Sequence, residues 1–336
     1  MKKPYKKKIL ITGASGFVGG HLIEEACNKG YEVHAALRAT SKTEHIEPYV
    51  DKFVYPDFMK IDQLIDLFNQ ETYDYIIHGA ALTKAKDEKS MFDVNVGVTQ
   101  NILEAAFSCD LPPKRVVFVS SLAAIGPISY NEGLIKEDSR YNPVTLYGRS
   151  KRMAEELVVK HYADKPVTII RPTAVYGPRE KDLFLLFETM YKGLDIYIGR
   201  EPQKLTFVYV ADLVDALLKA LEVSEHEKLA IYNITDGEVY SRYAMADVFS
   251  DVMRKKMLRM HIPSGIVKGV ACFSQGLYKY SEKTPVLYPE RLNELTAANW
   301  SCDISKSVNE LDYSPRYKLA RGLKETLNWY KENKWF

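Results

Sequence analysis

KILITGASGFVGG, residues 8–20, sets a short apolar run directly against three regularly spaced glycines. Ile9, Leu10 and Ile11 suit a fully buried parallel strand. Gly13, Gly16 and Gly19 follow as G-x-x-G-x-x-G, and Phe17-Val18 open an apolar-periodic stretch reaching Lys29. A strand, a glycine turn and a helix in that order bring free backbone N–H groups to a helix N-terminus, where a pyrophosphate can sit. Gly13 then permits the tight turn, Gly16 clears a side chain from the phosphates, and Gly19 lets the helix lie close on the strand. The spacing departs by one residue from G-x-G-x-x-G. Later segments therefore have to carry the dinucleotide reading against a plain glycine-rich connection.

Residues 32–37 (EVHAAL) read as a second strand ending at Arg38. In a dinucleotide fold this strand end meets the adenosine ribose. An acid there binds the 2′-hydroxyl, whereas an arginine accommodates a 2′-phosphate. Leu37-Arg38 stands at that position, with Lys42 just beyond and no Asp or Glu competing, so NADP(H) is favoured over NAD(H). A plain surface arginine is the other reading. Residues 52–55 form a short third strand, and Asp57 is placed either to accept from the adenine amino group or to cap a helix. YIIHGAA (75–81) reads as a strand ending in small residues that let a cofactor pass close; His78 reads as a structural histidine. Residues 90–107 form a long helix with Asn95 inside it, an unusual place for a residue that prefers caps and turns, and one suited to fixing backbone or water beneath a site.

Arg115–Val119 is a further buried strand that delivers Ser120-Ser121 to its carboxyl end, the edge at which open α/β sheets bind ligands. After a turn-rich loop, Tyr147 and Lys151 lie one helical turn apart and project from one face. Tyr330 and Lys334 repeat the Y-x-x-x-K spacing, but with no glycine turn or serine strand near them. The order of glycine turn, serine strand and tyrosine helix singles out Tyr147. A free phenol has a pKa of about 10, too high for efficient proton exchange near neutrality. Lys151 and an oxidised nicotinamide both favour the phenolate. Ser121 would hold the substrate oxygen while Tyr147 gives or takes the proton, and Lys151 can also hold the nicotinamide ribose.

The 336 residues, 46% hydrophobic and 27% charged, allow about two lobes of an ordinary soluble protein. A net charge of +2 provides no field to recruit nucleic acid. The N-terminal lysines 2, 3, 6, 7 and 8 read as a solvated basic tail, with a membrane contact as the minority reading. Residues 1–20 are too short in their apolar run and too broken by glycine for a signal peptide. No apolar run is long enough to span a bilayer. Cys27, Cys109, Cys272 and Cys302 are scattered, which suits reduced thiols in the cytoplasm and neither a disulfide framework nor a metal site.

Strand and helix alternate to about residue 178, as in a doubly wound parallel sheet. The expected α/β division is a Rossmann-type domain over 1–178, to which 206–234 return, and a smaller, mostly helical C-terminal lobe over 179–205 and 235–336.

With these pieces in place the chain resembles the extended short-chain dehydrogenase/reductase superfamily over nearly its whole length. The matching motifs are TGASGFVG (12–19), DVNVGVTQNILEAA (93–106), SSLAAIG (120–126), YGRSK (147–151), RPTAVYGP (171–178), FVYVADLVDALLKAL (207–221) and the closing WSCDISKSVNELDYSP…GLKETLNWY. The resemblance implies a catalytic Ser121, Tyr147 and Lys151 supported by Asn95. It implies cofactor contacts at Gly13, Ser15, Gly16, Phe17, Val18 and Gly19, at Arg38 and Lys42, at Asp57 and Phe58, at Ala80 and Ala81, and at Pro172. Substrate contacts are expected at Thr83, Ser121, Leu122, Ala174 and Val175. Related enzymes pair through helices corresponding to 90–107 and 147–162, so a homodimer using Val94, Val98, Leu157 and Val158 is expected, although burial in the chain's own core explains these residues equally.

Departures from the superfamily narrow the chemistry. Nucleotide-sugar dehydratases carry Thr-Asp-Glu where this chain has Ser121-Leu122-Ala123. Nucleotide-sugar epimerases usually carry Asn at Ala174 and often Arg-Asp at Leu205-Thr206, contacts a diphosphate needs. The chain is more similar to the group of dihydroflavonol reductases, ketone reductases and 3β-hydroxysteroid dehydrogenases. Residues 262–280 (IPSGIVKGVACFSQGLYKY) hold no acidic residue. Ile266, Val267, Val270, Phe273, Leu277 and Tyr278 could line an apolar pocket or pack the lobe's own core. The expected activity is NADP(H)-dependent interconversion of a bulky apolar ketone and its alcohol, on a steroid, a 3-keto sphingoid lipid or a flavonoid-like compound. A nucleotide-sugar epimerase with bound NAD and a non-catalytic dinucleotide-binding regulator are the alternatives.

Overall fold

The computed structural model describes residues 5–85, 87–224, 228–278 and 288–336. Its centre is a seven-stranded sheet in the order Ala230–Ile234, Val167–Pro172, Arg115–Val119, Tyr75–His78, Lys8–Thr12, Glu32–Ala36 and Lys52–Val54. Every neighbouring pair is parallel. Thr12 pairs with Ala36 on one side and His78 on the other, so the first strand ends level with both neighbours. Alternation along the strands feeds two cores. Ile9, Ile11, Ile77 and Val117 face helices Phe17–Asn28 and Val210–Lys219, while Leu10, Ile76, Val116 and Phe118 face Ile61–Glu71, Thr99–Ser108 and Leu146–His161. This is the Rossmann-type, doubly wound α/β arrangement.

Three two-stranded pairings lie outside the main sheet: Ala174–Tyr176 with Phe207–Tyr209, Lys204–Leu205 with Tyr240–Ser241, and Leu194–Ile198 with Leu258–Ile262. An aromatic core built on Tyr176, Phe187, Phe207, Tyr209, Phe249 and Tyr330 joins the last helix, Leu319–Glu332, to Asp182–Tyr191 and Ala244–Met253. Tyr330 is fully buried there and donates to the Glu180 carbonyl at 2.7 Å, whereas Lys334 lies beyond the helix end at φ +57°. The second Y-x-x-x-K spacing is thus a core tyrosine followed by a surface lysine.

Three expectations need correcting. The strand read over 75–81 stops at His78, because Gly13 packs on the Gly79 and Ala80 backbone and Ala80 N donates to the Thr12 hydroxyl at 3.1 Å instead of to a strand. Asn95 lies in a π-helical segment, Asp93–Val98, set between Glu88–Phe92 and Thr99–Ser108. The helix Ser264–Tyr278 packs Val267 and Ala271 against Ile198, Ile262 and Leu292, which leaves Ile266, Val270 and Phe273 exposed. The side chains of Leu277 and Tyr278, and residues 279–280, lie outside the described residues. Val98 and Val158 are buried in the chain's own core, while Val94 and Leu157 stay half-buried.

The glycine turn is built on close approach. Gly13 has φ +72°, and a Cβ on it would lie 2.7 Å from the Gly79 carbonyl carbon. A Cβ on Gly19 would come within 2.1 Å of the Gly13 oxygen, whereas one on Gly16 would stand 3.2 Å from that atom. Gly19→Ala should therefore cost at least about 1–3 kcal/mol in urea unfolding. Gly16→Ala should stay within about 1 kcal/mol of wild type yet weaken dinucleotide binding. Equal stability losses for the two variants would contradict these roles.

Candidate active site

The carboxyl edge of the sheet gathers the residues singled out above. Gly16 is the N-cap of helix Phe17–Asn28 and carries no side chain to cap it, so the first turn presents backbone N–H groups beside Ser15, Phe17 and Val18. Gly79 is exposed and Ala80 and Ala81 half-buried, a small-residue floor next to that helix end. Arg38 follows the second strand, exposed, and its guanidinium makes no ion pair or hydrogen bond among the described residues; Lys42 is exposed nearby. Asp57 accepts from Met59 N at 3.0 Å, so its carboxylate caps the turn after the third strand while staying exposed. The neighbouring Phe58 carbonyl is held by Asn101 at 3.0 Å. A dinucleotide fits this edge: an uncapped helix end for its pyrophosphate, small residues below it, and a free cation at the ribose position.

Thr145 caps helix Leu146–His161 by accepting from Gly148 N at 3.0 Å. Gly148 has to be glycine, since a Cβ would meet the Ala123 oxygen at 2.4 Å. That contact presses the helix onto the turn Leu122–Ala124 and places the Tyr147 phenol in hydrogen-bond contact with Ser121. Ser121 Oγ accepts from Ala123 N at 3.1 Å. Burial pushes the phenol up to about 12, opposed by the Ser121 hydrogen bond and reinforced by Glu294. One turn on, Lys151 is buried with Nζ donating to the Val119 carbonyl at 2.8 Å and lying 4.8 Å from the Phe118 ring centroid. Burial pulls its ammonium down to about 8, with Glu155 acting in the opposite direction.

Asn95 makes its contacts away from the reacting groups. Its carboxamide accepts from Leu82 N and donates to Leu82 O, both at 2.8 Å, and donates to Ser150 Oγ at 2.9 Å, which in turn donates to the Tyr147 carbonyl at 2.7 Å. It fixes the loop after the fourth strand to the tyrosine helix, a positioning role. His78 is held between Thr12 at 2.8 Å and Thr99 at 3.0 Å, and burial lowers it to about 3, so it stays neutral and structural.

A family model described as the NAD dependent epimerase/dehydratase family matches residues 9–235. The chain belongs to this family. It is 28% identical to the UDP-N-acetyl-alpha-D-glucosaminuronate decarboxylase of Bacillus cytotoxicus, over 97% of this chain and 98% of that one. It is 26% identical to a 3 beta-hydroxysteroid dehydrogenase/Delta 5-->4-isomerase of Mycobacterium tuberculosis, over 96% and 90%. The structure of UDP-glucuronic acid 4-epimerase from Bacillus cereus in complex with NAD superposes with a TM-score of 0.76 at 25% identity, covering 97% of this chain and 99% of that one. Family membership makes this chain an NAD(P)-dependent enzyme of the extended short-chain dehydrogenase/reductase type.

Beneath the family's tyrosine and lysine lies a network that sequence reading missed. Glu155 and Arg171 form a fully buried pair, with Arg171 Nε 3.0 and 3.1 Å from the two carboxylate oxygens and Nη2 at 2.7 Å. Tyr141 donates to Glu155 at 2.8 Å and Ser120 donates to it as well. Two signals pointed here: Glu155 continues the Tyr147–Lys151 face by one more turn, and Arg171 is a charge inside an otherwise apolar strand. Glu290 gave no such signal. It accepts from Leu146 N at 2.7 Å and from Arg149 at 2.9 Å, at the start of the tyrosine helix. Of the expected substrate contacts, Ala174 and Thr83 are exposed and Val175 half-buried, while Pro172, an expected cofactor contact, is buried at its strand end. Leu122 is a correction. It packs with Ile125, Ile135 and Cys302, so it offers a substrate no surface.

Tyr147 keeps its proton across the working range, whereas Lys151 loses its charge above about pH 8. If Tyr147 is the proton donor, the ammonium supports the phenolate it leaves. kcat/KM for reduction should therefore hold below pH 8 and fall as pH rises through it. A profile flat to pH 10 would sever Lys151 from the reaction.

Proposed function

We propose that this protein is an NADP(H)-dependent oxidoreductase that interconverts an apolar ketone and its secondary alcohol. The observation that carries this reading is the Ser121–Tyr147 contact at the carboxyl edge of the sheet, with the Lys151 ammonium buried one turn below. Ser121 Oγ and the Tyr147 hydroxyl converge on one substrate oxygen. In reduction Tyr147 donates its proton to the carbonyl oxygen as that oxygen gains charge, and in oxidation the phenolate takes it back. A bound nicotinamide supplies or accepts the hydride. Lys151 stabilises the phenolate through the helix face they share, and Asn95 holds the two walls of the site in register.

Arg38 supports the choice of NADP(H). It has no partner among the described residues, and a 2′-phosphate would give its guanidinium a bidentate acceptor. Ala174, Val175 and Leu205 support an apolar substrate, since none offers a diphosphate a hydrogen-bond donor from its side chain. In this reading 1–178 and 206–234 hold the cofactor, and 179–205 with 235–336 form the substrate lobe. The unpaired cysteines suit a cytoplasmic protein. Any homodimer across helix Leu146–His161 has exposed Met153 and Val159 to use in place of the buried Val158. The second reading is nucleotide-sugar epimerisation with the same serine, tyrosine and lysine. It is favoured by the full-length likeness to a UDP-sugar decarboxylase and a UDP-glucuronic acid epimerase.

Arg38→Asp should weaken NADPH binding far more than NADH binding, because it sets a carboxylate against the 2′-phosphate. Titration of the wild type that gives equal affinities for the two dinucleotides would remove the NADP(H) assignment.

Tyr147→Phe should keep dinucleotide binding and lose about 10²–10⁴-fold in kcat, while Tyr330→Phe leaves kcat unchanged. The substrate class is tested by offering steroid, long-chain and flavonoid-like ketones beside UDP-, GDP- and dTDP-sugars, following NADPH absorbance and sugar isomer ratios. Ketone-dependent NADPH loss is the expected result. Conversion of a nucleotide sugar with every ketone untouched would replace this reading by the epimerase.

A further inference from the structure

One corner of the chain carries apolar surface that the fold does not use. In the parallel pair Leu194–Ile198 and Leu258–Ile262, alternation puts Leu194, Ile196, Leu258 and Met260 on one face, and all four are exposed. The other face carries Tyr197 and His261, which stack on one another and close on Tyr243. The apolar face ends at Ile198 and Ile262, where the helix Ser264–Tyr278 sits down by Val267 and Ala271. The opposite side of that helix presents Ile266, Val270 and Phe273, spaced i, i+4 and i+7 and 61%, 54% and 69% exposed. Helix and strands are therefore anchored from within and apolar without.

The segment that carries this surface has charges of one sign. From residue 254 to residue 278 there is no Asp or Glu, while Arg254, Lys255, Lys256, Arg259 and Lys268 fall in the same span of a chain whose net charge is only +2. Arg259 is neutralised by Asp195 at 2.7 Å and Asp247 at 2.5 Å, and Lys255 lies over the Tyr191 ring at 4.1 Å. Arg254, Lys256 and Lys268 are exposed and make no ion pair among the described residues. An apolar face flanked by free cations is the pattern of a segment that lies in a lipid headgroup layer. A two-fold contact between copies of the chain would instead bring the same cations together.

We propose that this corner, formed by Leu194–Ile198, Leu258–Ile262 and the outward side of helix Ser264–Tyr278, docks the protein on an anionic lipid membrane. Ile266, Val270 and Phe273 enter the headgroup boundary, and Arg254, Lys256 and Lys268 meet lipid phosphates. Docking of this kind needs only exposure and charge and is independent of which substrate the enzyme turns over. It accounts for an amphipathic helix whose second apolar face has no protein partner among the described residues.

The test is co-sedimentation of the full chain with vesicles of phosphatidylcholine alone and of phosphatidylcholine mixed with phosphatidylglycerol, at low and high salt. Binding should require phosphatidylglycerol and weaken with salt. The combined variant Ile266→Ser, Val270→Ser, Phe273→Ser should bind at least about tenfold more weakly, with an unchanged melting curve because the three side chains are exposed. Charge reversal by Arg254→Glu, Lys256→Glu and Lys268→Glu should have a similar effect. Phe273→Trp gives an independent readout, a blue shift in the fluorescence of the introduced indole when anionic vesicles are added. Wild-type protein that stays in the supernatant at low salt, or a Phe273→Trp variant whose emission is unmoved by vesicles, would overturn the proposal. So would a stable wild-type dimer that the triple serine variant disperses, since the face would then be a contact between copies.

Discussion

The buried pair of Arg171 and Glu155 is the constraint on which the chemistry of this molecule rests. Desolvating two charges costs several kcal/mol per ion, repaid only by close geometry and full hydrogen bonding. Here the guanidinium meets both carboxylate oxygens, and its Nη1 donates to the Glu137 carbonyl at 2.8 Å while Glu137 accepts from Asn233 N at 3.1 Å. One cluster thereby ties four pieces together: the strand Val167–Pro172, the tyrosine helix, the turn-rich loop holding Tyr141, and the edge strand Ala230–Ile234. Ser120 donates into it and Ser121 is the next residue, so Ser121 is positioned by the same charges that lie below Lys151. A hydrophobic pair of equal volume could hold the helix as firmly. It would supply no negative charge to oppose the desolvation of the lysine.

What could be read from the sequence was what local sterics and periodicity write into it. Gly13 and Gly19 announce themselves because a Cβ at either would collide with backbone a few residues or one strand away, and no other residue type meets that demand. Tyr147 and Lys151 share a helix face by spacing alone, and the apolar runs at 9–11 and 116–118 have the length of buried strands. The pairing of Leu194–Ile198 with Leu258–Ile262 was not legible. Two short strands some sixty residues apart carry no mutual signal in either segment, and their parallel register is a tertiary fact. Asn95 stood out as a polar residue within a helical pattern, but the π-helical turn and its grip on Leu82 depend on where a distant loop arrives.

The apolar segment 262–273 misled for a related reason. Periodicity shows that a helix has apolar faces but not which one meets the core, and here two are apolar. Val267 and Ala271 won the interior because they are the residues aligned with Ile198, Ile262 and Leu292. Ile266, Val270 and Phe273 are larger in sum and equally hydrophobic, yet they face out. Hydrophobicity alone could not separate pocket wall, core and outward surface; only the packing partner does.

If Ser121, Tyr147 and Lys151 carry the reaction as proposed, they serve ketone reduction and sugar epimerisation alike, and substrate choice falls to the second lobe and to how that lobe meets the first. Glu290 makes that meeting specific. Its carboxylate takes the Leu146 N–H at the first position of the tyrosine helix, where the helix dipole is positive, and holds Arg149 one turn in. Glu294, one turn along the same short helix Pro289–Leu295, adds negative charge near the Tyr147 phenol and helps keep it protonated. One short helix of the C-terminal part of the chain thus sets both the start of the tyrosine helix and the charge beside the Tyr147 phenol. Under the proposed function, a shift of Pro289–Leu295 on substrate binding would alter both at once, and two carboxylates on one short helix would couple recognition to proton transfer.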